Sequence, residues 1–158
     1  NQIVTIRELA DWLEKYISLQ QMRFNDAFSY RLNIEEETYT EKVYKLLLQP
    51  FVENAIKYNH SGGKVTVNTH LSEEITDTST SVNYVFLEVS DTGIGIPPEY
   101  QEKIFTPFFR VDKSRSRAMG GAGLGLALVN EIARQHGGEV KVLKSDKNGS
   151  TIALILPL

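Results

Sequence analysis

Cysteine is absent from the 158 residues. Disulfides, zinc–thiolate sites, iron–sulfur clusters and cysteine nucleophiles are thereby excluded. No apolar run approaches the ~20 residues needed to cross a bilayer, and no signal peptide opens the chain. A charge excess is missing too: 17 Lys+Arg stand against 20 Asp+Glu, a formal net charge of -3. That balance offers no electrostatic footprint for a phosphate backbone, so nucleic acid is not an expected partner. Histidine is scarce, limited to His60, His70 and His136. There is no internal repeat and no low-complexity segment. What is present is ordinary for a globular fold, with 41% hydrophobic and 23% charged residues. A chain of this size can bury the core of one domain. It begins at Asn1 and enters a helical pattern almost at once, and we expect it to be a piece of a longer protein.

Apolar Ile6, Leu9, Leu13, Tyr16, Ile17 and Leu19 recur at near-helical spacing and predict a helix over 5–24. Alternation predicts a half-buried strand over 28–34, with Phe28, Tyr30, Leu32 and Ile34 on one face. Glu35–Glu37 reads as a solvated loop. A second helix is predicted over 40–59, with Val43, Leu46, Leu47, Phe51, Val52 and Ile56 inward and Pro50 costing it one backbone hydrogen bond or bending it. Strands follow over 64–71 and 84–89, joined by a long polar connection over 72–83. A short helix is expected over 99–104 and a longer one over 124–136. Two last strands, 139–143 and 151–156, meet at an Asp-Lys-Asn-Gly turn. Consecutive strands without intervening helices imply an α+β, two-layer sandwich: a mixed, mostly antiparallel sheet with helices on one face.

Four constellations carry chemistry, and each alone also fits an ordinary structural role. Asn54 and Lys57 are three apart, so they share a helix face. An amide oxygen is a hard ligand suited to Mg²⁺, and an ammonium suits a phosphate; the same pair also fits a plain amphipathic helix end. Asp91-Thr92-Gly93-Ile94-Gly95 follows a buried strand. A carboxylate there can accept from an exocyclic amine while the glycines let backbone approach a flat ligand, or it can simply cap its own turn. Phe105-Thr106-Pro107-Phe108-Phe109-Arg110 precedes a basic segment and reads as aromatic anchors for a loop. Gly120 to Gly125 opens a helix whose N–H groups can hold phosphate oxygens. Neither G-x-G-x-x-G nor the P-loop pattern fits those glycines.

In this order the four stretches Glu53–Tyr58, Asp91–Pro97, Phe105–Arg110 and Gly121–Leu126 resemble the N-box, G1 box, F-box and G2 box of the Bergerat-fold (GHKL) superfamily. That superfamily holds histidine kinases, gyrase, MutL and heat-shock chaperones. The resemblance covers about residues 28–158. The F-box and Gly-Leu-Gly-Leu look like sensor histidine kinases. Leu48–Ala55, with Tyr16–Gln20 and Arg23-Phe24 before it, resembles the LytS/YesM class, whereas the segment after Asp91 is closer to the common histidine kinases.

The resemblance implies the following roles. Residues 1–27 would be a helical connection from a missing dimerisation and phosphoacceptor domain, and 28–158 the ATP-binding catalytic domain. Asn54 would coordinate the Mg²⁺ that bridges the ATP phosphates. Lys57 would contact phosphate, and both would be catalytic. Tyr58 would lie beside the adenine and Asp91 would accept from its amino group. Gly93, Gly95 and Ile96 would line the base. Gly121, Gly123, Leu124 and Gly125 would present backbone to the phosphates, and residues 106–122 would be the ATP lid. Thr151 would hydrogen-bond near Asp91, directly or through water. Gyrase-type enzymes place a water-orienting carboxylate four residues before the metal-binding Asn, where this chain has Pro50. That departure favours phosphoryl transfer over hydrolysis. None of the three histidines sits in an acceptor-like helix, so the chain is expected to bind nucleotide without phosphorylating itself.

The expected function is therefore the catalytic domain of a two-component sensor histidine kinase, using ATP and Mg²⁺. Its partners would be the acceptor domain of the parent chain and a response regulator. The resemblance implies a membrane-anchored homodimeric parent with this domain in the cytoplasm, and a monomeric fragment. Other readings are a non-catalytic, nucleotide-gated interaction module, a stand-alone ATPase of the gyrase or MutL type, and a scaffold without ligand.

Overall fold

A computed structural model describes residues 3–24, 27–45, 47–75, 81–109 and 125–158. Strand β1 (Ile3–Thr5) leads into helix α1 (Ile6–Arg23). Thr5 caps that helix: its hydroxyl oxygen accepts from the Glu8 N–H at 3.2 Å and donates to the Glu8 carboxylate at 3.1 Å. The buried stripe is Ile6, Leu9, Leu13 and Ile17. Leu19, expected on that stripe, is 62% exposed. The four buried side chains join the same core as the rest of the chain.

Strand β2 (Phe28–Ile34) alternates as expected. A short 3-10 helix, Glu36–Thr38, replaces the predicted loop. The single helix expected over 40–59 is two elements. Its first part is strand β3 (Lys42–Tyr44), paired antiparallel with β1. Its second is helix α2 (Gln49–Lys57). Pro50 therefore occupies the first turn of α2, where a missing N–H costs nothing, and it does not bend the helix.

Strands β4 (Gly63–Ile75) and β5 (Ser81–Asp91) run well into the segment expected as a long polar connection. Two 3-10 turns, Pro98–Tyr100 and Lys103–Phe105, stand where one short helix was expected. Helix α3 (Gly125–Gln135) and strands β6 (Glu139–Asp146) and β7 (Gly149–Pro157) complete the chain.

The five-stranded sheet has the order β2-β4-β5-β7-β6. Only β2 and β4 are parallel. The β4/β5, β5/β7 and β6/β7 pairs are antiparallel, so the sheet is mixed and mostly antiparallel. Its apolar face and the three described α-helices share one cluster that includes Leu9, Phe51, Val67, Leu87, Val129 and Leu154. Register places two cross-strand rows side by side on that face. One row is Val67, Val89, Ile152 and Val142. The next is Val65, Asp91, Ser150 and Ser145. The apolar core thus gives way, in one step toward the sheet's end, to a polar row.

Candidate functional site

A cavity opens over that polar row. Phe51, Asn54 and Ala55 of α2, with Tyr58 just past its end, form one wall. The floor is Val89 and Asp91 of β5 with Ser150 and Ile152 of β7. Ile94, Gly95 and Ile96 close one side, and Ile104 with Leu126 of α3 close another. A mostly apolar slot with one carboxylate suits a flat heterocycle carrying an amine.

Asp91 is held by three donors. Its Oδ1 accepts the Gly93 N–H at 2.9 Å and the Ser150 N–H at 3.3 Å. Its Oδ2 accepts the Ser150 hydroxyl at 3.0 Å. Each carboxylate oxygen has two lone pairs, so Oδ1 is saturated and Oδ2 keeps one acceptor position. Burial pushes the Asp91 carboxyl up from the usual aspartate range, and the bonds from Gly93 and Ser150 pull it partly back. Burial thus makes the charged form of this group costly.

The loop after Asp91 is tied at both ends. On the α2 side, the Ile94 N–H donates to the Tyr58 carbonyl at 3.2 Å, and the Thr92 hydroxyl donates to Asn59 Oδ1 at 3.1 Å. On the other side, Gly95 has φ +76°. A Cβ there would overlap the Asp146 carbonyl oxygen, so only glycine lets the loop close on the β6–β7 hairpin.

Asn54 lines the cavity, and its Nδ2 donates to the Pro50 carbonyl at 2.9 Å. A carbonyl can only accept, so this bond orients the amide and leaves Oδ1 as the acceptor toward ligand. Lys57 lies three residues further along α2, partly buried, outside the cavity lining. Glu53 points away from the cavity, where Gln49 Nε2 donates to it at 2.9 Å and the Tyr16 hydroxyl at 3.2 Å. Burial, reinforced by that carboxylate, pushes the Tyr16 hydroxyl far above the usual phenol range.

Of the residues singled out in the sequence, Asn54, Tyr58, Asp91, Gly95 and Ile96 converge on this cavity. Gly93 serves it through its bond to Asp91. Gly125 lies where α3 meets α2, and a Cβ there would sit 3.1 Å from Pro50 Cβ. Gly121, Gly123, Leu124 and most of the expected lid fall outside the described residues. Thr151 lies near Asp91 without touching it. The direct bond to Asp91 is made by Ser150, while the Thr151 hydroxyl sits 2.8 Å from the hydroxyl of Ser90, the residue before Asp91. The register pairs Asp91 with Ser150 and Ser90 with Thr151, and a one-residue slip exchanges sheet faces. The three phenylalanines also divide. Phe105 and Phe109 pack on the core, whereas Phe108 is 69% exposed with φ +65°.

Sequence reasoning missed Ser150 and Ser145, and the apolar walls Phe51, Ile104 and Leu126. The pairing of β7 with β5 that sets Ser150 opposite Asp91 leaves no local mark in the sequence.

A family model described as histidine kinase-, DNA gyrase B-, and HSP90-like ATPase matches residues 40–158. The sensor histidine kinase WalK of Bacillus subtilis is 40% identical over 111 residues, covering 70% of this chain and 17% of WalK. The signal transduction histidine-protein kinase ArlS of Staphylococcus aureus is 39% identical over 112 residues, covering 71% of this chain and 23% of ArlS. The chain thus spans less than a quarter of either relative. Among solved structures, the nucleotide-free catalytic domain of histidine kinase ThkA superposes with a TM-score of 0.74 at 23% identity, covering 99% of this chain and 96% of that one. ThkA has also been solved in complex with the response regulator protein TrrA; that match has a TM-score of 0.69 at 23% identity and covers 99% of this chain and 41% of that one. These likenesses establish the fold, and the LytS/YesM subclass draws no support from them. With that fold, and with a family model spanning most of its length, the chain belongs to the histidine kinase-, DNA gyrase B- and HSP90-like ATPase family.

Proposed function

We propose that this chain is the ATP-binding catalytic domain of a two-component sensor histidine kinase. It moves the γ-phosphoryl group of ATP to a histidine on a dimerisation domain outside the chain. The observation that carries this reading is Asp91: a carboxylate on the apolar face of the sheet, saturated on one oxygen and open on the other, inside a mostly apolar slot. The open lone pair suits the adenine amino group. Tyr58 and Ile96 flank the base, and Gly93 and Gly95 shape its loop.

The phosphates would extend past Asn54 and Lys57 toward the start of α3. Mg²⁺ is commonly held by substrate phosphates, water and one or two protein oxygens. The oriented Asn54 Oδ1 fits that role, and no acidic cluster that could hold a metal occurs among the described residues. Bound Mg²⁺ would neutralise charge on the transferring group. Gly121, Gly123, Leu124 and Gly125 are proposed to meet the phosphates through their backbone, and Thr151 to support the adenine floor through Ser90. In the transfer, an imidazole nitrogen of the acceptor bonds to the γ-phosphorus, the β–γ bridging bond breaks, and ADP leaves. Pro50 stands where a water-orienting carboxylate would be needed for hydrolysis.

The histidines of this chain are otherwise engaged or misplaced. His70 is 2.8 Å from Glu88 Oε2, His136 is 2.8 Å from the Ile132 carbonyl, and His60 is exposed beyond α2. We place the acceptor in the parent chain, ahead of α1, with residues 1–27 leading from it, in a membrane-anchored homodimer that passes its phosphoryl group to a response regulator. Incubating the chain with Mg²⁺-ATP and a separately supplied acceptor domain tests this. The expected product is phosphohistidine on the supplied domain and none on the chain alone. Nucleotide binding without transfer would favour a nucleotide-gated interaction module, and steady-state hydrolysis by the chain alone a gyrase-type ATPase.

A further inference from the structure

Strand β6 pairs regularly with β7 through Val140↔Leu154 and Val142↔Ile152, then shifts by one residue to Lys144↔Thr151 and Ser145↔Ser150. This bulge has a consequence for side-chain direction. Alternation from Val140 and Val142 would turn Lys144 toward the core face. The extra residue resets the alternation, so that Ser145 falls into the row of Asp91 and Ser150 instead. The exposed Leu143 lies within the irregular stretch. Bulges beside functional sites commonly re-aim a side chain in this way.

Ser145 then reaches across to the loop after Asp91. Its Oγ accepts the Ile96 N–H at 2.7 Å and lies 3.4 Å from the Ile96 carbonyl, toward which its hydroxyl can donate. Gln101 Nε2 also donates to that carbonyl, at 3.1 Å. The peptide on either side of Ile96 is therefore fixed from β6, one residue beyond the point where Gly95 closes on the Asp146 carbonyl. Both Gly95 and Ile96 line the cavity, and Ser145 does not.

We propose that Ser145 is a positioning residue for the base of the nucleotide: aimed by the β6 bulge, it holds the Gly95–Ile96 backbone at the width an adenine ring requires. The proposal rests on the adenine-site reading above. It acts at the base end, because the backbone it holds lies beside Asp91, whereas Asn54 and Lys57 stand on α2. Without the hydroxyl the Ile96 N–H loses its partner, and the loop is free to leave the cavity edge.

The test measures affinity for adenosine, ADP and Mg²⁺-ATP in the 158-residue chain and in Ser145→Ala and Ser145→Thr, with Ile96 amide exchange followed by NMR. Ser145→Ala is expected to weaken all three ligands by the same factor, about tenfold, the scale of one hydrogen bond. The Ile96 amide should exchange faster, and Ser145→Thr, which keeps the hydroxyl, should restore both. Equal adenosine affinity in folded Ser145→Ala and the parent chain would overturn the positioning role and leave the adenine site standing. A loss confined to the triphosphate would overturn it as well, by moving the effect to the phosphate end. Should Ser145→Ala not fold, Ser145→Thr decides alone: it must bind adenosine as the parent chain does. A parent chain that binds none of the three would overturn the adenine site itself and the positioning role with it.

Discussion

Replacing Asp91 by asparagine is expected to lower adenine-nucleotide affinity by about 10- to 150-fold, the worth of a hydrogen bond to a charged group at about 1.5–3 kcal/mol. The swap is nearly isosteric, so the loss follows from chemistry rather than shape. Two backbone N–H groups, from Gly93 and Ser150, converge on Oδ1. They require an acceptor, so the amide oxygen must take that place and the amide nitrogen must replace Oδ2. The atom facing the ligand then changes from acceptor to donor and meets another donor, the adenine amine. Stability should move the other way. The folded-state pKa of Asp91 is raised by burial. Its favourable contribution is thus present at low pH, below the usual carboxylate range, and is lost as pH rises through the folded value. At neutral pH the charge is a cost, and removing it should leave the melting temperature of the ligand-free chain unchanged or higher. The difference should fade as pH falls into the carboxylate range. Calorimetric titration with ADP and melts across pH check both halves; a variant that binds as well as the parent chain would remove Asp91 from the site.

Asn54→Ala is expected to abolish the part of ATP affinity that depends on Mg²⁺ and to slow phosphotransfer to a supplied acceptor by about 100-fold or more, since metal-assisted charge neutralisation is worth several kcal/mol. The cost to folding should be only about 0.5–1.5 kcal/mol, because the side chain gives up a single bond, to the Pro50 carbonyl. Adenosine carries no phosphate and should bind as before. ATP titrations with Mg²⁺ and with a chelator make the comparison: the parent chain should differ between the two, and Asn54→Ala should not. A metal-dependent gain that survives in Asn54→Ala would assign the cation to other oxygens.

These two residues were legible in the sequence because each sits in a local pattern that its own element preserves. Asn54 lies on a helix face with a strong apolar side, and Asp91 ends a strand whose alternation is clear. Helix α1 and strand β2 were legible for the same reason. What was not legible depends on distant partners. Strand β3 exists because β1 lies beside it, and the spacing of Val43, Leu47 and Phe51 happened to mimic one helix running through both. Pro50 marked the true start of α2, since its ring suits the first turn and not the interior. The direct bond from Ser150 to Asp91 comes from a register that only pairing with β5 sets. The bulge that brings Ser145 into the same row leaves no mark in composition or periodicity at all. The exposure of Phe108 belongs with these, because its positive φ turns the ring away from the core that Phe105 and Phe109 share.

The central claim is that the slot over Asp91 is an adenine site, and a thermal melt of the chain with Mg²⁺-ATP against Mg²⁺-GTP tests it most directly. A ligand at one hundred times its dissociation constant stabilises the folded state by about 2.7 kcal/mol, which for a domain of this size raises the melting temperature by about 5–10 °C. The account predicts that rise with ATP and none with GTP at the same concentration, because guanine presents a carbonyl where adenine presents its amine to Asp91. No rise with either nucleotide, or an equal rise with both, would contradict it.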